Sequence, residues 1–434
     1  MTTFKTVVVD LTPVLPGGEN GGAKIFVLEL VARLAARLPQ TQFVLLTQAS
    51  SHGELACLDR TNVRRELAVG DADSGISRPR LLAWSGLLLA RMPGLVRAVA
   101  GRLSDGYKRM LERLGRVSLL RKLEADLLFC PFTAPTYHEQ GIPMVCTIYD
   151  LQFRTYPEFF TPEDVAQRRR SFEGACRLAS ALAAISDYSR RAALAFGHLD
   201  EARIRTIHLR LAGRGVASGG VDAIAQLGLT RGRYLLYPAN FWRHKNHQML
   251  LTAFGIAMRT GLPSDVKLVC TGAPGPRQAQ VAAAVESMGL GKRVLMPGYL
   301  ADDLLASVLA GAGGLVFPSL YEGFGLPVLE AMVAGVPVAC SNASSLPEIA
   351  AGAAVMFDPR VPSQIVDAML QLFGDATLRD RLISAGREHA RPYLDADRMT
   401  QEYIALFEFA VGRQRPDDGV RAERNAAPYP DGAP

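Results

Sequence analysis

Glu322 and Glu330 bracket the stretch of this chain best equipped for chemistry, Gly323-Phe324-Gly325-Leu326-Pro327-Val328-Leu329. Glycines let main chain approach a ligand closely. The amides of such a loop, with those of a following helix N-terminus, form a site for anions. Carboxylates on either side accept hydrogen bonds from hydroxyl groups. Main-chain amides for a diphosphate and carboxylates for hydroxyls together fit a nucleotide-sugar. The plainer reading, one loop charge and one charge near a helix start, accounts for each Glu singly but not for the Gly-Phe-Gly-Leu-Pro between them.

Three local elements must position this pair. The apolar run Gly314-Leu315-Val316-Phe317 reads as a buried parallel strand. Pro327 stands where a first helical turn begins, and Gly335 where that helix stops. The order strand, exposed loop, helix places the ligand side at the carboxyl end of a strand, where open α/β sheets bind ligands.

The wider chain repeats that alternation. TVVVDL (6–11) and QFVLLT (42–47) predict strands around a Pro/Gly-rich loop and a helix over 23–38, a βαβ opening. Further strands are expected over 126–130, 144–149, 181–185 and 203–209, with helices over 163–178 and 187–196. A Gly/Ala/Ser-rich stretch over 210–230 suits a domain edge. A second βα series follows, with strands near 234–238, 267–270, 294–296, 314–317 and 336–340. Helices are expected over 362–372, 376–390 and 397–412, and a disordered tail from 413. The expected organisation is therefore an α/β chain of two doubly wound parallel-sheet domains facing across a cleft: 1–212, 213–395, a C-terminal helix 396–412 packing back on the first domain, and the tail 413–434.

Other motifs fall at predicted strand ends. Pro238-Ala239-Asn240-Phe241-Trp242-Arg243-His244-Lys245 offers cations to a diphosphate, whose negative charge grows as it leaves. Gly21-Gly22 opens the first helix, and Asp150 ends a strand, where it either orients a substrate hydroxyl or caps the next turn. Ser186 reads as a helix N-cap, and Ser345 and Glu348, in the loop 342–348 after the strand near 336–340, either as part of a ligand loop or as helix-start groups.

The Glu322/Glu330 segment resembles the E-x7-E element of family 4 glycosyltransferases, retaining enzymes of GT-B fold that use nucleotide-sugar donors. The flanking Pro318-Ser319, Gly323-Phe324-Gly325-Leu326-Pro327 and Ala334-Gly335-Val336-Pro337 agree as well. The resemblance implies that Glu330 holds the donor ribose and that Glu322 lies by the transferred sugar. It implies that the amides of Phe324, Gly325 and Leu326 face the sugar and diphosphate. It implies that Lys245 and Arg243 grip the diphosphate and that Gly21 and Gly22 bring main chain to donor or acceptor. Asp150 completes the catalytic list of Glu322, Lys245, Arg243 and Asp150. The chain departs from the family pattern at Tyr149, where many relatives have His, and at Ala239-Asn240, where many have Gly-Arg. YDLQFRTYPEFF (149–160) and residues 238–247 resemble mannosyl- and rhamnosyl-transferring members of polysaccharide biosynthesis. A metal-independent hexosyltransferase is implied, with GDP-mannose the favoured donor, no cofactor, and a saccharide or lipid-linked acceptor. A GT-B-fold sugar-nucleotide epimerase and a non-catalytic sugar-nucleotide-binding protein are the alternatives.

Composition fits this reading. The chain has 434 residues, a net charge of +6 and 49% hydrophobic residues, enough for large cores. No run approaches 18 uninterrupted apolar residues, so no spanning helix is expected. The six cysteines form no C-x-x-C pair and read as reduced thiols in a cytoplasmic protein. Asp71-Ala72-Asp73 and Asp395-Ala396-Asp397 do not follow predicted strands and read as turn or capping residues rather than metal ligands. Eleven Lys/Arg stand against Asp105 and Glu112 between Arg78 and Lys122. That basic amphipathic stretch suits the anionic cytoplasmic face of a membrane. Nucleic acid is not expected, since aromatics are few.

Overall fold

The computed structural model describes residues 4–17, 21–70, 118–211, 223–275 and 277–413. The first domain is a seven-stranded parallel sheet of β1 (Thr6–Asp10), β2 (Gln42–Gln48), β3 (Val63–Val69), β4 (Leu127–Cys130), β5 (Met144–Ile148), β6 (Ala181–Ala184) and β7 (Ile204–Thr206), in the order β3-β2-β1-β4-β5-β6-β7. The second is a six-stranded parallel sheet of β8 (Tyr234–Pro238), β9 (Lys267–Thr271), β10 (Val294–Gly298), β11 (Gly314–Phe317), β12 (Val338–Ser341) and β13 (Val355–Phe357), in the order β10-β9-β8-β11-β12-β13. Every paired strand in both ladders is parallel. Two doubly wound sheets are what the alternating pattern predicts.

The central strands are apolar on both faces because helices cover both faces: all four residues of β4, β6, β11 and β12 are buried. Two edge strands escape the apolar-run criterion. β3 (VRRELAV) carries charge along a sheet edge, with Arg65 paired to Asp59 at 2.7 Å, a pattern that also discourages pairing with another chain. β13 has only three residues.

In each sheet the strand order reverses once, between β1 and β4 and between β8 and β11. Loops diverge there and open a crevice beyond the strand ends. Asp10 ends β1, and the Glu322 loop follows β11.

The C-terminal helix Ala396–Gly412 packs on the first domain. The Tyr403 hydroxyl meets Thr147 Oγ1 at 3.1 Å, and the Phe129 ring lies 5.6 Å from Tyr403 and 5.0 Å from Phe407. Both helix aromatics are fully buried. Burying each is worth roughly 1.5–3 kcal/mol. Asp395 caps this helix through Arg398 N at 3.0 Å, and Asp397 pairs with Arg33 at 3.2 Å. Capping is the role read for this Asp-x-Asp. Its counterpart Asp71–Asp73, the tail after 413 and nearly all of the basic stretch 78–122 lie outside the described residues, and of that stretch only the short helix Leu119–Lys122 with its N-cap Ser118 is described. No helix among the described residues is long and apolar enough to cross a membrane.

Candidate functional site

The basic loop after β8 and the Glu322 loop after β11 are built as one unit. The Asn246 amide donates to Pro318 O at 3.1 Å and to Pro359 O at 2.8 Å. Leu320 N donates to His244 O at 2.7 Å, and the Tyr237 hydroxyl to Lys245 O at 2.5 Å. These bonds fix the two loops so that Lys245 Nζ meets Glu322 Oε1 at 2.6 Å. Both side chains are largely shielded, at 14% and 12% exposure, so the pair is weakly screened.

The Glu322 loop is held from beneath by a serine pair. Glu322 N donates to Ser344 Oγ at 2.8 Å, and the Ser345 hydroxyl reaches Glu322 O at 3.0 Å and Phe324 O at 2.6 Å. Gly325 then turns the chain into the helix Leu326–Val333 with φ +123°, and a Cβ there would lie 2.8 Å from Leu346 Cδ2. No L-residue with a side chain fits that turn. Pro327 occupies the first turn, and Glu330 lies buried on the helix at 8% exposure. Phe324 is buried, its ring 6.1 Å from that of Tyr393, while Leu326 opens the helix half-buried.

The first domain contributes Asp150. Its Oδ1 accepts from Gln152 N at 3.0 Å, the turn contact that the sequence allows. It also lies within electrostatic reach of Lys245 and Glu322. Burial raises its carboxyl above the usual range, against the Gln152 amide that favours the ionised form. Close approach is possible because the residue facing it is Gly323: a Cβ there would sit 2.5 Å from Tyr149 O and 3.2 Å from Asp150 Cβ. The structure therefore brings Glu322, Lys245 and Asp150 together at the junction of the domains.

Arg243 takes another direction. Its Nη1 donates to Glu158 O of the first domain at 2.6 Å, with the guanidinium 5.7 Å from the Phe159 ring. His244 beside it is no cation: burial, with Lys245 adjacent, pulls its pKa down to about 2. Gly21 adopts φ +55° at the start of the helix Gly22–Arg37, with open space where a Cβ would stand at both Gly21 and Gly22. Lys24 is buried and anchors the preceding loop through Leu15 O, Gly17 O and Glu54 Oε1 at 2.7–3.0 Å.

Tyr149, at the family's His position, sits edge-on to Phe26 at 6.2 Å and stacked on Phe132 at 6.1 Å. Its hydroxyl is buried without a hydrogen-bond partner among the described residues.

One feature went unread in the sequence, and one was read only in part. Asp10 is buried at the end of β1, with Oδ1 accepting from Thr12 N at 3.0 Å and Thr12 Oγ1 at 2.6 Å. Burial raises its carboxyl, and Oδ2 has no partner among the described residues. An acid closing the run V-V-V-D at the carboxyl end of a central strand was the available signal. The second is Glu348, whose helix-start contact is to the other domain. Its two oxygens accept from Asp187 N at 2.9 Å and Tyr188 N at 3.0 Å, and Oε1 meets His208 Nε2 at 2.7 Å. Burial works against the charge, but His208 and the two amides outweigh it and hold the carboxyl below its usual range. Asp187, His208 and Glu348 are residue types that bind metals, and their ligand atoms lie within 4.8 Å of one another. Those of Glu348 are engaged in this domain contact, and Asp187 Oδ1 accepts from Thr206 Oγ1 at 2.5 Å.

Residues 222–389 match the family described as "Glycosyl transferases group 1". A stretch of 256 residues is 29% identical to O-antigen chain mannosyltransferase B of Escherichia coli, covering 57% of this chain and 66% of that relative. Over 142 residues the chain is 30% identical to MMP alpha-(1->4)-mannosyltransferase of Mycolicibacterium hassiacum, 32% of this chain and 34% of that relative. The matched stretches thus span less than two thirds of the length of these relatives. Among solved structures, sucrose-phosphate synthase from Thermosynechococcus elongatus superposes with a TM-score of 0.68 at 18% identity, covering 94% of this chain and 100% of that one. WaaG, a glycosyltransferase involved in lipopolysaccharide biosynthesis, gives 0.62 at 15% identity, covering 95% and 100%. At such identities the likeness concerns the fold, which is GT-B.

Proposed function

We propose that this chain is a retaining glycosyltransferase that moves a hexose, mannose in the first instance, from a nucleotide-sugar to a saccharide or lipid-linked saccharide. The observation that carries this reading is the meeting of Lys245, Glu322 and Asp150 between two doubly wound domains, in a chain matching group 1 glycosyl transferases over 222–389. The names of the mannosyltransferase relatives support the sugar.

In this reading the diphosphate lies against the amides of 324–326 and the N-terminus of the helix Leu326–Val333. Lys245 opposes the charge that grows on the departing phosphate, a contact stronger in the transition state than in the ground state. Glu322 accepts hydrogen bonds from the transferred sugar, and Glu330 from the ribose. Asp150 orients the acceptor hydroxyl. The acceptor attacks on the face the diphosphate leaves, and its proton passes to the departing phosphate oxygen. Arg243, held by Glu158 O, reaches the diphosphate by releasing that carbonyl. The basic stretch 78–122 places the enzyme on the anionic cytoplasmic surface of a membrane, beside a lipid-linked acceptor.

A thermal-shift panel of GDP, UDP, dTDP and their sugars tests the donor, because a bound nucleotide raises the melting temperature by mass action. GDP-mannose is expected to give the largest shift and to transfer its mannose with the α configuration kept. Absence of any shift, or conversion of the donor without an acceptor, overturns the reading.

A further inference from the structure

The helix Asp187–Gly197 of the first domain begins at Ser186, whose hydroxyl accepts from Ser189 N at 3.0 Å. That is the expected N-cap. The same hydroxyl donates to Gly323 O of the Glu322 loop, across the domain junction, at 2.8 Å. The Ser189 hydroxyl donates to Tyr149 O at 2.8 Å and lies 3.3 Å from Gly323 O. Both serines are fully buried. Gly323 is thus wedged between the end of β5, which its missing Cβ would strike, and the start of this helix. The next two amides of the helix, Asp187 N and Tyr188 N, hold Glu348. One helix N-terminus therefore receives a carbonyl and a carboxylate from the second domain. The signs match: amides at the positive helix end face the carboxylate, and a hydroxyl, which can donate, faces the carbonyl.

We propose that Ser186 is a positioning residue for the reaction, holding Gly323 O so that the Lys245–Glu322 pair, already formed within the second domain, stands against Asp150, and that Glu348 is the latch that seats the two domains in that register. This inference rests on the reading above. It makes the alignment of Glu322 with Asp150 depend on contact with the first domain, so that a donor-loaded second domain alone holds the Lys245–Glu322 pair but lacks the facing carboxylate.

The test separates this role from capping. Glycine replaces a serine N-cap at a cost of only a few tenths of a kcal/mol, but it cannot donate to Gly323 O. In Ser186→Gly, kcat for transfer is expected to fall about tenfold to a hundredfold, the range for one buried hydrogen bond. KM for the donor should stay within about threefold, and Ser186→Thr, which keeps both hydroxyl functions, should restore kcat. Hydrogen exchange should speed up in the 320–326 amides of Ser186→Gly while the 187–197 helix stays protected. Wild-type kcat in Ser186→Gly with unchanged exchange over 320–326 overturns the inference; so does a loss of kcat that tracks loss of the helix. If the wild-type chain turns over no sugar-nucleotide, the functional reading fails, and the exchange result still decides whether Ser186 positions the loop.

Discussion

Lys245 and Glu322 stand 77 residues apart in the chain, yet their charged groups meet at 2.6 Å. The contact is shielded on both sides, so removing one partner leaves the other's charge poorly solvated. The lysine is therefore already held in place by its neighbour before any ligand enters.

Coupling between these two residues is the first expectation. Lys245→Met and Glu322→Gln should each lower kcat by roughly 10^2–10^3-fold, the usual loss on removing one transition-state contact. The double variant should lose much less than the sum, because the residues act as a unit. Strict additivity in a double-mutant cycle would show that they work separately.

Donor affinity should depend on Glu330. A charge-assisted hydrogen bond is worth about 1.5–3 kcal/mol, so Glu330→Gln should weaken nucleotide-sugar binding roughly tenfold to a hundredfold. Isothermal titration checks this; an unchanged Kd removes Glu330 from the donor site.

Tyr149→Phe deletes a buried hydroxyl that has no partner among the described residues. The variant should keep its activity within about twofold and gain up to ~1 kcal/mol, since an unpaired buried polar group costs free energy. A large loss of kcat would instead mean that the hydroxyl works in the reaction.

Stability should fall as the solution is acidified below the usual histidine pKa. His247 is stacked on Phe241 at 4.8 Å, and burial, with Lys245 nearby, pulls its pKa down to about 4. His244 is depressed to about 2. The unfolded chain therefore binds these protons first, near pH 6.5, and stability drops from there toward pH 4. Denaturant melts of wild type and His247→Phe should show a flatter pH slope for the variant; parallel slopes would clear His247 of the effect.

Gly323→Ala should separate binding from turnover. Its methyl would lie 2.5 Å from Tyr149 O, forcing the loop and the first domain apart. Donor affinity, which the proposed function sets mainly within the second domain, should change less than about threefold while transfer nearly disappears. Full activity would mean that the junction opens at no cost.

Much of this was legible in the sequence because local signals coincide. Gly314–Phe317, Pro327 and Gly335 each announce one part of a strand–loop–helix, and that element forms with those bounds. β3 was hidden because its charges sit on an edge, where no apolar run is needed. The Lys245–Glu322 pair, the hold of Glu158 O on Arg243 and the seat of Glu348 on another domain's helix are long-range contacts. Each pairs ordinary surface residue types, so no spacing rule marks them in advance.

The helix Ala396–Gly412 gives the order of synthesis a consequence. Tyr403 and Phe407 complete packing around β4 and β5, but they leave the ribosome long after β7 ends at Thr206. At about 5–20 residues per second, the first domain waits roughly ten to forty seconds with an uncovered apolar surface. Chains cut short before Ala396 should therefore be sticky and chaperone-dependent, even though they carry both sheets.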